Sequence, residues 1–337
     1  MDIHKEKIYT IDDIARELGV SKTTVSRAIS GKGRISRETR ERVRSFIEEH
    51  DYRPNVLARG LAQSKTYNLG LVLPGDYSVM DFPFFKECMN GICETASEYN
   101  YDIVIAMMDG QELAGGNRLV VNRKVDGIIM TRSMAGGTKA ERFLKEKQVP
   151  FVLVGPSEDK DVVWVDNQNR EGSRELTGIL LMKGMKRLAL LGGNRAHLVT
   201  DSRFLGFRDA HKDQGIPVQE ELVFFDVEGY SAVVKAMEKI LEAGVDGIVC
   251  MDDFITGMLL GYLREKELRV PEDIRVASLY DSPRLEMYRP AITSLHFDTR
   301  YLGRVACITL LKLLGEEVEQ KDTPLSYQVI LRESTKF

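Results

Sequence analysis

The sequence predicts two structural parts, a small N-terminal all-α domain and a larger two-lobed α/β core with open parallel sheets. Three observations support this prediction. Capped helical patterns fill the first fifty residues, short apolar runs alternate with helical periodicity from Asn68 onward, and basic residues are concentrated at the N-terminal end. A chain of 337 residues is also long for a single domain.

Three helices are predicted in the N-terminal part. Thr10, Ser21 and Ser36 each stand where a side-chain oxygen can cap the start of a helix. Gly19 and Gly31 follow the first and second apolar patterns and are expected to end those helices. The resulting order of helix, tight turn, helix, loop and helix is typical of a helix-turn-helix DNA-binding unit.

The second helix carries the strongest indication of DNA binding. At 100° per residue, Val25, Ala28 and Ile29 fall on one face and are expected to pack inward. The opposite face carries Lys22, Thr23, Ser26 and Arg27. Short polar groups and cations suit a helix in the major groove, and no acidic residue occurs between Ser21 and Ile35. The alternative is a small helical bundle with a merely polar face.

The charge distribution favours a polyanionic partner for the N-terminal part. The whole chain has a formal charge of −4. Residues 1–66, however, contain fourteen basic and ten acidic side chains, and Ser21–Arg44 contains eight and two. A basic end on an acidic body is typical of nucleic-acid binding, although an ordinary solvated surface would give the same count.

The composition excludes several protein classes. Hydrophobic residues make up 43% and charged residues 29% of the chain, which is ordinary for a globular protein. No apolar run has the length of a membrane span, and the charged N-terminus has no signal-peptide core. Four scattered cysteines do not form a disulfide framework, so we expect a cytoplasmic protein. No metal-ligand or cofactor motif is present, and no cofactor is predicted.

The rest of the chain has the pattern of an α/β protein. Apolar runs that predict buried strands are Leu69–Leu73, Tyr101–Ala106, Gly127–Thr131, Phe151–Val154, Arg187–Leu191, Gly247–Met251 and Arg275–Leu279. Helical periodicity lies between them, as in Phe85–Tyr99 and Ser231–Ala243. The series is long enough for two parallel sheets covered by helices. Breaks near Val163–Asn167 and Ile292–Asp298 predict crossings between the two sheets.

Ligands of open α/β sheets bind beyond the carboxyl ends of the strands. The candidates that follow predicted strands include Asp76, Phe84, Phe85, Thr131, Arg203, Asp252 and Asp281. Carboxylates and an arginine beside aromatic rings suit a sugar, because charged planar groups bond pairs of hydroxyls and rings cover C–H faces. Each residue taken alone is also compatible with an ordinary polar loop position.

Two segments, Thr10–Arg27 (TIDDIARELGVSKTTVSR) and Tyr52–Ala62 (YRPNVLARGLA), resemble the lac/gal repressor (LacI/GalR) family of bacterial transcription regulators. The resemblance implies a headpiece over residues 1–54, a hinge helix and linker over 55–66, and a periplasmic-binding-protein-like core over 67–337. It places lobe 1 at about 67–166 and 298–325, and lobe 2 at about 167–297 and 326–337. The alternative for 55–66 is a plain linker.

The same resemblance implies a set of DNA-binding residues. Lys22 and Thr23 occupy the positions that chiefly select operator bases. Further DNA contacts are implied for Ser21, Ser26 and Arg27, and phosphate contacts for Thr10, Ser30 and Ser36. In the hinge, Asn55 and Ala58 lie beside Leu61, which stands at the position of the leucine that enters the minor groove between base steps.

The resemblance also assigns effector-binding roles in the core. Arg203 matches the arginine that clamps the effector, and Asp281 matches the effector aspartate. Other implied pocket positions are Phe85, Thr131, Asp252 and Phe297. Asp252 stands where the family commonly has asparagine. No leucine-heptad tail follows the core, so the resemblance implies a homodimer on a pseudo-palindromic operator.

The expected function is that of a transcriptional repressor of carbohydrate-utilisation genes, located in the bacterial cytoplasm and on the nucleoid when bound to DNA. A small effector, expected to be a sugar or oligosaccharide, binds between the core lobes. Two alternatives are a sugar-binding protein of a transporter and a sugar-converting enzyme. The first would have a signal peptide and no headpiece, and the second a phosphate loop or dinucleotide turn. The sequence has neither, so no enzymatic activity is expected.

Overall fold

The computed structural model describes residues 9–31, 33–50, 52, 60, 63–75, 82–114, 117–319 and 324–336. The chain divides into two compact units, Met1–Tyr67 and Asn68–Phe337. The predicted hinge residues Asn55, Ala58 and Leu61 lie outside the described residues, as do Asp76 and the side chain of Ser30. The domain and lobe boundaries drawn from the sequence stay predictions.

The first unit contains three helices with the predicted caps. They are α1 (Ile11–Glu17), α2 (Lys22–Ser30) and α3 (Arg37–Glu49). The Thr10 hydroxyl accepts a hydrogen bond from the Asp13 amide at 3.3 Å, and the Asp13 carboxylate accepts one from the Thr10 amide at 2.9 Å. The hydroxyls of Ser21 and Ser36 accept from the amides three residues ahead, each at 3.1 Å. These bonds satisfy amide donors that the helices leave unpaired at their starts.

The three helices share a small apolar core. Ile14 of α1 and Val25 of α2 are fully buried, and Val43 of α3 joins them at 1% exposure. The side chain of Arg42 donates to the carbonyl of Leu18 at 3.0 Å, which ties α3 to the end of α1. The inward face predicted for α2 is thus confirmed, and the helix-turn-helix arrangement follows from it.

The second unit contains two six-stranded sheets. The first has the order β3-β2-β1-β4-β5-β6 and the second β12-β11-β10-β9-β7-β8. Strands of the first sheet are β1 (Asn68–Pro74), β2 (Asp102–Asp109), β3 (Glu112–Ala114), β4 (Gly127–Met130), β5 (Phe151–Val154) and β6 (Trp164–Val165). Strands of the second are β7 (Leu188–Leu191), β8 (Val223–Phe224), β9 (Gly247–Cys250), β10 (Arg275–Ser278), β11 (Thr293–Phe297) and β12 (Tyr327–Ile330).

Parallel pairing dominates both sheets, as predicted. All seven apolar runs named from the sequence overlap strands of the structure. The edge strands β3 and β12 pair antiparallel with their neighbours, which the sequence pattern did not indicate. Both are short, and the side chains of β12 are only partly buried, so neither shows the continuous apolar run of an inner parallel strand.

Helices cover both faces of the sheets. They are α4 (Pro83–Glu98), α5 (Asn117–Val121), α6 (Lys139–Glu146), α7 (Asn169–Met182), α8 (Leu198–Asp213), α9 (Tyr230–Ala243), α10 (Asp253–Glu265), α11 (Pro283–Met287) and α12 (Thr299–Leu313). Helix α12 packs against α4 and the first sheet, whereas α7 packs against α8 and the second. The chain therefore passes between the lobes before α7, before α12 and again before β12.

Glycines allow α4 and α12 to approach closely. A Cβ atom at Gly303 would lie 2.1 Å from the carbonyl oxygen of Cys88, and one at Gly91 would lie 1.9 Å from that of Arg300. Any side chain would force the backbones apart. Among the described residues, no helix has the length and apolarity needed to cross a membrane.

Candidate functional site

The exposed face of α2 has the composition expected of a major-groove contact. Val25 faces the core, and the solvent-facing side chains are those of Ser21, Lys22, Thr23, Ser26 and Arg27. The predicted phosphate contacts Thr10 and Ser36 are also exposed, each at a helix start. Amides at helix starts and hydroxyls beside them are suited to binding phosphate oxygens.

Lys22 already has a partner in the protein alone. Its ammonium group forms an ion pair with the carboxylate of Asp12 on α1, and both side chains remain exposed, at 68% and 45% respectively. An exposed pair of this kind is weak, at about 0.2–1 kcal/mol. Lys22 can therefore exchange Asp12 for a base or a phosphate at small cost.

A cleft of about 500 Å³ lies between the two lobes of the second unit, at the carboxyl ends of both sheets. Aromatic rings from both lobes line it. Phe82, Phe84 and Phe85 come from the start of α4, and Phe254 and Tyr280 from the other lobe. The rings of Phe82 and Phe254 meet across the lobes with centroids 5.3 Å apart. Such rings can stack on the apolar faces of a ligand.

Arg203 of α8 is the buried cation of this cleft. Its Nε donates to Oδ1 of Asn169 at 3.0 Å, and one Nη donates to the carbonyl of Met251 at 2.6 Å. Burial lowers the pKa of the Arg203 guanidinium, and the carboxylates of Asp252 and Asp166 oppose that shift. These carboxylates therefore help to keep the arginine charged.

Asn169 connects Arg203 to the first crossing between the lobes. Its Nδ2 donates to Oδ1 of Asp166 at 2.8 Å, while its Oδ1 accepts from Arg203. Between these two residues, Gln168 has φ +58° and ψ +46°, a left-handed conformation that is uncommon for a residue other than glycine. The hydrogen bonds fix the guanidinium relative to the crossing.

Carboxylates outnumber cations in the cleft lining. The charged lining residues are Arg132, Asp166, Arg203, Glu228, Asp252 and Asp253. Oδ1 of Asp252 accepts from the amide of Ile255 at 2.8 Å and caps α10. Burial raises the pKa of both Asp252 and Asp253. The positive end of α10 is thus already occupied by a carboxylate of this chain, which disfavours an anionic ligand there.

Main-chain hydrogen bonds also join the lobes beside the cleft. The amide of Ala135 donates to the carbonyl of Ala196 at 2.8 Å, and the amide of Leu198 donates to that of Ser133 at 3.2 Å. They flank an antiparallel bridge between Met134 and His197. Opening of the cleft on this side requires both bonds to break.

Comparison with known proteins identifies a known domain type in each of the two units. Residues 10–55 match the family of bacterial regulatory proteins called the lacI family, and residues 177–335 match a periplasmic binding protein-like domain. The HTH-type transcriptional regulator MalR of Streptococcus pneumoniae is 31% identical over 320 residues, which cover 93% of this chain and 94% of that protein. The chain belongs to the lacI family.

Other lacI-type regulators are similar over nearly the whole length. Catabolite control protein A of Staphylococcus aureus is 29% identical over 97% of this chain and 99% of its own. The transcriptional regulator CelR, solved as a cellobiose complex, is 28% identical over 97% of this chain and 99% of its own, with a TM-score of 0.69. The lacI-family chain is thus a DNA-binding transcriptional regulator.

The structure brings most of the predicted effector residues of this lacI-family core into one cleft. Those that line it are Phe84, Phe85, Thr131, Arg203 and Asp252. Asp281 and Phe297 do not line it. Asp76 is outside the described residues.

Asp281 belongs to an internal ion pair instead. Its Oδ1 lies 2.8 Å from an Nη of Arg332 and accepts from the hydroxyl of Ser294 at 2.5 Å. Burial opposes ionisation, but the hydrogen bonds from these two residues outweigh it and hold the pKa of Asp281 below its usual value. Successive residues beyond a strand point to opposite sides, so Tyr280 faces the cleft and Asp281 faces away from it.

Phe297 lies in the lobe core next to the cleft wall. It is 4% exposed, and its ring stacks near that of Tyr280 with centroids 6.5 Å apart. It therefore supports Tyr280 without lining the cleft. Among the described residues, no group of three or more histidine, cysteine or acidic side chains has an arrangement suited to a metal ion.

Sequence reasoning did not assign roles to several lining residues. The most informative of these are Asp166, Asn167 and Asn169 at the first crossing and Phe254 at the start of α10. The break near Val163–Asn167 was expected to be a crossing between sheets. A segment that crosses between two facing lobes borders the cleft between them. The predicted crossing could therefore also have identified Asp166, Asn167 and Asn169 as lining residues.

Proposed function

We propose that this lacI-family regulator represses carbohydrate-utilisation genes and that an uncharged sugar in the cleft controls its affinity for operator DNA. The observation that carries the proposal is that one chain has both kinds of site. The exposed face of α2 has no acidic residue, and a separate cleft is lined by aromatic rings, carboxylates and Arg203. A groove-binding surface and a small-molecule site are the two components that a ligand-controlled repressor needs.

On DNA, we assign base contacts to Lys22 and Thr23 of α2. The lysine ammonium can donate to guanine O6 and N7, and the threonine can offer its hydroxyl to a base edge or its methyl to thymine. Ser21, Ser26 and Arg27 add further DNA contacts, and Thr10, Ser30 and Ser36 contact phosphates. In the hinge, Leu61 enters the minor groove beside Asn55 and Ala58.

For the effector, the cleft favours an uncharged sugar, and its volume accommodates an oligosaccharide. Rings at the start of α4 and at Phe254 suit the C–H faces of a pyranose, and Arg203 and Asp252 suit hydroxyl pairs. A sugar phosphate would meet the carboxylates of Asp166, Asp252 and Asp253. The relative CelR was solved with cellobiose, a neutral disaccharide.

Control of DNA binding requires that the sugar bind one conformation of the cleft more tightly than the other. If a sugar binds the closed cleft better than the open one, it shifts the lobes toward closure, and a change in the headpieces then releases the operator. Linkage requires that DNA alter sugar affinity by the same factor, typically 5–150-fold.

We further propose a homodimer that acts in the cytoplasm and catalyses no reaction. The strand β2 leaves Ile105 52% exposed and Met107 39% exposed, and a second copy of this chain would cover them. Two copies carry two headpieces and so require a pseudo-palindromic operator. The headpiece, hinge and core are assigned to 1–54, 55–66 and 67–337.

Selection of operator sites from a random duplex library tests this function. The purified protein is expected to enrich a palindrome with a central CG step, where Leu61 inserts. The selection is repeated with cellobiose or maltose present, in case a sugar is needed for binding. Absence of enrichment in every arm would contradict a sequence-specific regulator.

A further inference from the structure

A second cavity, of about 220 Å³, borders the bridge between Met134 and His197. Met134 lines this cavity from one lobe and Leu198 from the other, whereas His197 lines the cleft. The rest of the wall comes from α6, the loop before it, β5 and the loop after β5. Within the described part of the chain, no residue lines both the cavity and the cleft. The cavity is therefore a separate site that touches both lobes at the bridge.

One carboxylate of this cavity is buried, and only one of its oxygens is bonded. Glu141 is 5% exposed, and its Oε1 accepts hydrogen bonds from the amide and the hydroxyl of Thr138, at 2.9 and 3.0 Å. Its Oε2 accepts none from the described residues and is open to the cavity, 3.4 Å from the position of a Cβ on Gly137. A buried carboxylate oxygen favours a ligand that brings a donor, and a positively charged donor most of all.

The other charged groups of the wall indicate what the rest of the ligand carries. Lys145 is paired with Asp159, and Glu158 accepts from a main-chain amide at 2.9 Å. The guanidinium of Arg142 forms no hydrogen bond or ion pair with any described residue. The cavity thus has an acceptor available for a cation at Glu141 and a donor available for an anion at Arg142, on adjacent residues of α6. A neutral ligand would leave both groups without a counter-charge.

We propose that this cavity binds a small aliphatic α-amino acid, which holds the two lobes together at the bridge. The ammonium group donates to Oε2 of Glu141, and the carboxylate accepts from Arg142. The aliphatic side chain contacts Met134 and Leu198, the apolar residues of the wall that come from the two lobes. At about 30 Å³ per water, the cavity corresponds to roughly seven waters, and the smaller amino acids are of that size. Because the cavity is separate from the cleft, this ligand and a sugar can be bound at the same time.

Contact with the bridge gives the amino acid a means to act on the lobes. The amide of Ala135 donates to the carbonyl of Ala196, and that of Leu198 to the carbonyl of Ser133. Both bonds break when the cleft opens on this side. A ligand that contacts both Met134 and Leu198 keeps all its contacts only while these residues are adjacent. It therefore favours the arrangement in which the two bonds are formed.

The test compares Glu141→Gln with the matched control Glu146→Gln in the full-length protein. Glutamine keeps an oxygen for the cap of α6 but places an amide, which is a donor, where the ammonium group is expected. Glu146 is exposed on the same helix and does not line the cavity. Calorimetric titration uses glycine, alanine and valine, and the wild type is expected to bind at least one of them. Arg142→Gln, at an exposed position, is a second variant that leaves the cap untouched.

For the amino acid that binds the wild type most tightly, Glu141→Gln and Arg142→Gln are each expected to weaken binding roughly tenfold or more, the factor of one hydrogen bond between charged groups. Glu146→Gln is expected to bind it as the wild type does. Hydrogen exchange of the Ala135 and Leu198 amides is expected to slow when the amino acid is bound.

Three results would each overturn the proposal. The first is that the wild type binds none of the three amino acids. The second is that Glu141→Gln and Arg142→Gln bind as tightly as the wild type, because the amino acid then occupies another site. The third is that the amino acid binds without slowing exchange of the Ala135 and Leu198 amides, because it then does not hold the lobes together at the bridge.

Discussion

Replacement of Lys22 by alanine tests the assignment of α2 as the helix that reads bases. In the free protein, the Lys22 ammonium pairs with Asp12, and the two side chains are 68% and 45% exposed. Binding to guanine must break this pair before a new contact can form. The expected effect on operator affinity is therefore the value of the base contact minus that of the lost ion pair.

The magnitude follows from these two quantities. A good base contact contributes about 1–3 kcal/mol of discrimination, and the exposed ion pair about 0.2–1 kcal/mol. The difference is roughly 0–2.8 kcal/mol per half-site, with a centre of about 1.4 kcal/mol, which gives about 2.8 kcal/mol for a dimer on two half-sites. Lys22→Ala should thus weaken binding to the selected operator roughly 100-fold.

Fluorescence anisotropy with the selected operator and a random duplex of equal length measures this effect at several salt concentrations. Random DNA should lose far less affinity than the operator. The matched control Asp12→Asn removes the competing carboxylate, and we expect it to tighten operator binding by up to about fivefold per half-site. Equal weakening on both duplexes by Lys22→Ala would refute base reading and make Lys22 a phosphate contact.

Three further predictions concern the core. Arg203→Ala removes the donors to Asn169 and Met251, so sugar affinity measured by calorimetry should fall about 10- to 100-fold. Operator affinity without sugar should be unchanged. Unchanged sugar affinity would show that the sugar binds elsewhere. Asp281→Ala should lower the free energy of unfolding by about 3–5 kcal/mol at neutral pH and leave sugar affinity intact. The folded-state pKa of Asp281 is depressed below 3.8. The loss in free energy of unfolding should therefore have its whole value above about pH 4 and should disappear as the pH falls through the folded-state pKa. A loss that does not change with pH in urea titrations would contradict the ion pair. Gly303→Ala would place a Cβ 2.1 Å from a carbonyl oxygen of α4 and should destabilise the core by about 1–3 kcal/mol, whereas an unchanged urea midpoint would show that the two helices can separate freely.

The helices of the N-terminal unit could be predicted from the sequence because their signals are local. Capping by Thr10, Ser21 and Ser36 and the apolar spacing around Val25 depend on residues within one or two helical turns, and the structure confirms each of them. Seven parallel strands were also predictable, since each contains a continuous apolar run. The parallel strands β6, β8 and β11 were not, because two of them have only two residues and β11 carries polar side chains within it. The antiparallel edge strands were not, because a half-exposed edge such as β12 lacks that run.

The residues that line the cleft were only partly predictable, because a residue at the end of a strand lines the cleft only if its side chain points toward it. Tyr280 and Asp281 are neighbours in sequence, yet one lines the cleft and the other pairs with Arg332, about fifty residues away in the chain. A shift of one residue at the end of a strand reverses the side to which a side chain points. Asn169 illustrates a second limit, because its hydrogen bonds to Arg203 and Asp166 are a property of the folded cleft and have no sequence pattern.

The central claim is that a sugar in the cleft and an operator on the headpieces influence each other. The most direct measurement is operator affinity with and without saturating sugar, together with sugar affinity with and without saturating operator, on one preparation of the wild-type protein. The account predicts that operator affinity falls and that both ratios are equal, at about 5- to 150-fold. Tight binding of both ligands with ratios of one would contradict it, because two sites without coupling cannot form a switch.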